Sequence, residues 1–97
     1  MRDPYAAVDK VEAAANAAGF HAETKEEDRR VFLTLTGHGK AIRVHYIVHN
    51  LATGYRAFHY AEVRNEGDDL WADHETVWSM RALLARLTEA GSKEPGR

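Results

Sequence analysis

Apolar and polar positions along the chain follow two different periods. In "RRVFLTLT" the apolar residues Val31, Leu33 and Leu35 alternate with Phe32, Thr34 and Thr36. A repeat of two is the signature of a strand with one buried face. The same alternation runs through Ile42, Val44 and Tyr46 after the short stretch "GHGK". A two-residue turn at His38 and Gly39 pairs Gly37 with Lys40. It sets Leu35 opposite Ile42, Leu33 opposite Val44 and Val31 opposite Tyr46, so every apolar residue meets another across the ladder.

Helical periodicity marks both ends. Val8, Val11, Ala15 and Ala18 form one apolar stripe in "RDPYAAVDKVEAAANAAGF". Asp3 is the expected N-cap, Pro4 the first helical residue, and Gly19 the left-handed stop with Phe20 folding back. Near the other end Val77, Met80, Leu84 and Leu87 recur at helical spacing with Leu83 beside them, and Asp73 is the expected cap. Trp71 and Trp78 are expected to clamp the entrance of this helix onto the sheet.

Between these lies "GYRAFHYAEVR", a third strand whose register depends on the preceding loop. A three-residue loop of Ala52, Thr53 and left-handed Gly54 sets Val48 opposite Phe58 and Tyr46 opposite Tyr60, which buries the larger aromatics. A four-residue loop buries Tyr55, Ala57 and Ala61 instead, because a slip of one residue exchanges the faces. Residues 20 to 24 are expected to add a short edge strand. The resulting fold class is α+β, a two-layer sandwich of helix, three (or four) antiparallel strands and helix, with both helices on one sheet face. Residues 1–90 are expected to form one domain and 91–97 a disordered tail.

Composition narrows the function more than it names one. The chain has 97 residues, 13 basic and 15 acidic, for a formal charge of −2. This is not the balance of a typical nucleic-acid binder. Cysteine is absent, which removes disulfides, thiolate ligands and thiol nucleophiles, and fits a reducing compartment. No apolar run is long enough to span a bilayer and the N-terminus has no apolar signal core, so a cytoplasmic location is expected.

The motif "HYIVH" places His45 and His49 four residues apart. On a strand that separation is about 13 Å. Zinc binds its ligands at about 2.0–2.1 Å, so one ion cannot take both histidines. A cross-strand site with His59 needs a carboxylate on the same face, and none is evident there; no metal or cofactor is expected. No serine sits in a nucleophile elbow and no glycine-rich phosphate loop is present, so no catalytic activity is expected.

The alternation leaves one face uncovered by helices, carrying Arg30, Phe32, Thr34, Arg43, His45, Ile47, His49, Ala57 and His59. Aromatic residues and arginine are enriched at binding hot spots. The expected binding residues are Arg30, Phe32, Arg43, His45, Ile47, His49 and His59, with Phe32 and Ile47 as apolar anchors. The expected function is protein–protein contact, including self-association as a homodimer, by a small accessory or regulatory factor of a bacterium or phage. The alternative is a nucleic-acid-binding sheet that stacks bases on its rings. The helix–three strands–helix order resembles the double-stranded-RNA-binding domain in topology. That family presents lysines at the start of its last helix, where this chain has Asp68, Asp69, Asp73 and Glu75.

Overall fold

The computed structural model describes residues 4–28, 30–50, 52–67 and 74–92. Two helices pack on an open, five-stranded antiparallel sheet, an α+β fold. The elements are α1 (Ala6–Ala17), β1 (His21–Glu27), β2 (Arg30–Gly37), β3 (Lys40–Asn50), β4 (Tyr55–Asn65), β5 (Glu75–Val77) and α2 (Met80–Ser92). The strands lie side by side in chain order.

Helix α1 begins two residues later than its sequence predicts. Tyr5 stands at the N-cap position without a side-chain cap, and Asp3 lies outside the described residues. Pro4 precedes the helix, where its carbonyl accepts the Arg56 N–H at 2.9 Å. The C-terminus follows the expected chemistry. Gly19 has φ +91, its N–H donates to the Asn16 carbonyl, and the Phe20 N–H donates to the Ala15 carbonyl. These two bonds form a Schellman stop, and buried Phe20 supplies the hydrophobic contact.

The β2–β3 hairpin has the predicted register throughout, including Leu35 opposite Ile42, Leu33 opposite Val44 and Val31 opposite Tyr46. His38 and Gly39 both have positive φ, 51 and 74, as a type I′ turn requires. Strand β1 is longer than expected and pairs along its whole length with β2, from His21 opposite Thr36 to Glu27 opposite Arg30.

Strand β4 differs from both predicted registers because it contains a bulge. Near the turn Val48 pairs with Arg56 and Tyr46 with Phe58; beyond it His45 pairs with Tyr60, Val44 with Ala61 and Ile42 with Val63. His59 is the extra residue. A second irregularity lies between Val48 and Asn50, and Asn50 pairs with Tyr55, so four residues connect the strands. Phe58 therefore packs on the core as expected, but after the bulge Ala61 and Val63 take over the buried face and Tyr60 crosses to the open one.

Val77, assigned by its spacing to the last helix, lies instead in β5, which adds a fifth strand by pairing Ala61 with Val77, Glu62 with Thr76 and Val63 with Glu75; α2 starts at Met80. The cap of α2 is Ser79, whose Oγ accepts the Ala82 N–H at 3.1 Å; Asp73 lies outside the described residues. Helix α2 includes Gly91 and Ser92, which were expected in the tail.

The core lies between the helices and one sheet face. Leu33, Leu35, Val44 and Tyr46 are fully buried from the sheet, Val11 and Ala15 from α1, and Leu83 and Leu87 from α2. Small residues let the helices approach closely: a Cβ added at Gly91 lies 3.1 Å from Ala18 Cα. Among the described residues no helix is long and apolar enough to cross a membrane.

Candidate functional site

The sheet face opposite the helices carries a continuous row of rings. Phe32 on β2 meets His45 on β3 edge-on at 5.2 Å between centroids. His45 stacks on Tyr60 of β4 at 4.3 Å with an interplanar angle of 14°. Tyr60 meets Trp78, just past β5, at 5.7 Å. His59 approaches Tyr60 edge-on at 4.8 Å. Backbone pairing produces the row, since Phe32 lies opposite His45 and His45 opposite Tyr60. Trp78 ends it at 72% exposure, the one large hydrophobic so exposed among the described residues. It was expected to clamp α2 onto the sheet; it lies instead against Tyr60, and Trp71 is outside the described residues.

Beneath the row Glu62 gathers the polar groups. His45 Nε2 donates to Glu62 Oε1 at 2.8 Å, which places the ring proton on Nε2. His74 Nε2 lies 3.3 Å and Arg64 Nη2 3.6 Å from Glu62 Oε2. Partial burial acts to raise the Glu62 pKa. The hydrogen bond from His45 and the positive charge at His45, Arg64 and His74 outweigh it, so the carboxyl titrates below its ordinary value of 4.5. Glu62 is the carboxylate that sequence analysis failed to find on this face. Even so, among the described residues no group of three or more histidines and carboxylates could hold a metal ion.

At the β1 side of the row the face sinks into a groove of about 420 Å³, lined by Glu23, Lys25, Glu27, Phe32, Thr34 and Arg43. A second hollow of about 390 Å³ lies on the helix side against Phe20, Ile42, Val63 and Ala90. Two cations on its rim are already engaged: Lys40 donates to Asn65 Oδ1 at 2.8 Å, and Arg86 pairs with Glu75.

The sequence-predicted residues divide around this row. Phe32 and His45 belong to it and His59 adjoins it. Arg30 pairs with half-buried Ile47 one level above, and exposed Arg43 lies opposite Glu62 one level below. His49 is described through its backbone alone. Sequence reasoning missed Tyr60, Glu62, Arg64, His74 and Trp78. The alternation in "YAEV" signals the first two, since burying Ala61 and Val63 turns Tyr60 and Glu62 to the other face. Comparison with family models, curated proteins and solved structures found no match to this chain.

Proposed function

We propose that this chain is a non-catalytic binding protein that engages another protein through its open sheet face, as an accessory or regulatory factor in a reducing, cytoplasmic setting. The observation that carries the reading is Trp78, held at 72% exposure at the end of a row of rings. Isolated apolar residues on a surface are common. A tryptophan set against a stacked tyrosine, on a face that also carries Arg30, Arg43 and His59, has the composition of an interface hot spot.

Base stacking is the second reading, supported by Arg30 and Arg43 beside the rings. The ring geometry favours protein. His45 and Tyr60 turn their faces to each other at 14°, so those faces are already occupied. A stacking platform needs ring faces free to receive bases. Glu62 adds negative charge at the middle of the face.

The test is affinity capture from a lysate of the encoding cells, with and without nuclease, using wild type, Trp78→Ala and Phe32→Asp. The expected result is a stoichiometric protein that survives nuclease and is lost with either variant. Nucleic acid recovered with wild type, with affinity falling steeply as salt rises, moves base stacking to first place. Capture unaffected by both variants removes the open face as the binding surface.

A further inference from the structure

The row of rings is continuous with a position on β1. Lys25 lies opposite Phe32, Phe32 opposite His45, and His45 opposite Tyr60, with Trp78 beyond. Five positions therefore cross the sheet, four on β1 to β4 and Trp78 just past β5, with His45 on β3 at the centre. The two ends differ in shape. Trp78 projects at one end, and the groove beside Phe32 and Lys25 is recessed at the other.

We infer that this face pairs with the same face of a second copy of the chain, across a two-fold axis along β3, with Trp78 of each copy seated in the Phe32 groove of the other. The inference rests on the open face being a protein-binding surface and names its partner. In an isologous contact residue i meets residue j while j meets i. A two-fold axis lying between the sheets along β3 sets β1 over β5, β2 over β4, and β3 over itself. Trp78 then lies over Lys25 of the second copy, and Tyr60 over Phe32. Ile47 meets Ile47 beside the axis.

Charge matches shape. The Lys25 ammonium, 3.5 Å from Glu27, lies where the indole ring arrives and can make a cation–π contact. Glu23 and Glu27 rim the groove and can accept the indole N–H, which would otherwise be buried without a partner. Glu62 lies over Thr34 of the second copy, beside Arg43, and so offsets the approach of the two Arg43 side chains at the axis.

The area is sufficient. Five strands at about 4.8 Å spacing, averaging about eight residues although β5 has only three, present roughly 600 Å² of face. Two such faces cover about 1,200 Å², the lower bound of stable specific interfaces.

Sedimentation equilibrium and thiol crosslinking test the inference. The chain has no cysteine, so introduced thiols are unique. Glu23→Cys and Thr76→Cys mark β1 and β5 on the open face, one level below the row. In the proposed dimer they face each other across about 10 Å, while like positions lie more than about 19 Å apart. Wild type is expected to dimerise at micromolar concentration, and Trp78→Ala to weaken the dimer at least tenfold while its urea unfolding stays cooperative. A crosslinker matched to the sheet spacing is expected to join the two cysteine variants when mixed and neither when alone. A chain that stays monomeric to millimolar concentration overturns the inference. So does a dimer indifferent to Trp78→Ala, or one that fails to give the mixed crosslink. A monomer that still loses a foreign protein partner on Trp78→Ala removes the second copy alone and leaves the protein-binding reading standing. If neither self-association nor foreign capture responds to Trp78→Ala or Phe32→Asp, that reading falls as well.

Discussion

His45 and Glu62 face each other diagonally across β3 and β4, and the imidazole donates to the carboxylate at 2.8 Å with both side chains mostly buried. The bond ties the centre of the aromatic row to Glu62, one level beneath it. A carboxylate whose folded pKa lies below its unfolded value stabilises the fold above the unfolded value, and the contribution fades as pH falls through the folded one. Glu62 is depressed in this sense. Glu62→Gln is therefore expected to lower stability by about 1–2 kcal/mol at neutral pH, the scale of a charge-assisted hydrogen bond. The difference from wild type should shrink once pH drops below 4.5. Urea titrations at neutral and acid pH decide it; a difference independent of pH would show that Glu62 acts through packing alone.

Trp78 and Phe32 separate binding from folding. Trp78→Ala removes a side chain that is 72% exposed, so stability should change by no more than about 0.5 kcal/mol. Phe32 is half-buried on the open face. Phe32→Asp is expected to abolish partner binding while near-ultraviolet circular dichroism and a cooperative melt persist. Loss of the melt would make Phe32 a core residue and refute its assignment as an anchor.

Tyr46 is fully buried, and its hydroxyl has no hydrogen-bond partner among the described residues. Burial pushes its pKa well above the ordinary range, with Tyr55 adding to the shift. A buried hydroxyl without a partner is destabilising by about 1–3 kcal/mol. Tyr46→Phe should leave stability unchanged or raise it by about 1 kcal/mol, as read from the midpoint of chemical denaturation. A loss of more than about 1 kcal/mol would reveal a hydrogen bond at the hydroxyl.

Two glycines of the hairpin differ in what surrounds them. A Cβ at Gly37 meets the Gly19 carbonyl oxygen and Phe20 Cα, each at 3.2 Å. Both are backbone atoms that cannot swing away. A Cβ at Gly39 meets nothing within 4 Å, and only the positive φ opposes it. Gly39→Ala is expected to destabilise by about 1 kcal/mol and Gly37→Ala by about 2–3 kcal/mol. Thermal melts that reverse this order would contradict the close passage of β2 against the end of α1.

The legible parts of the fold are those where local chemistry and pairing agree. Gly19 and Phe20 close α1 through interactions within five residues, and the β2–β3 hairpin joins a turn that needs positive φ to strands whose apolar sets coincide. The obscure parts depend on backbone pairing alone. Strand β1 reads "HAETKEE", almost wholly exposed, and is held by its ladder with β2 rather than by an apolar face. Strand β5 is three residues long and leaves no period to detect. The candidate site was half visible for the same reason. Phe32 and His45 follow from the hairpin, whereas Tyr60 reaches the open face because one residue, His59, interrupts the alternation, and Trp78 follows only from β5.

The strands lie in space in the order they occupy in the chain. Each pairing joins sequence neighbours, so each strand can be added by closing a short loop. The contact between α1 and α2, where Ala18 meets Gly91, encloses the entire sheet and carries the largest closure entropy. Folding is expected to start at the His38–Gly39 turn and spread outward, with the helix pair docking last. A chevron series would read this as substitutions in β2 and β3 slowing folding, while substitutions at Ala18 hasten unfolding. Local openings of the native state should then begin where the helices meet, freeing the helix layer from a sheet that keeps its ladder.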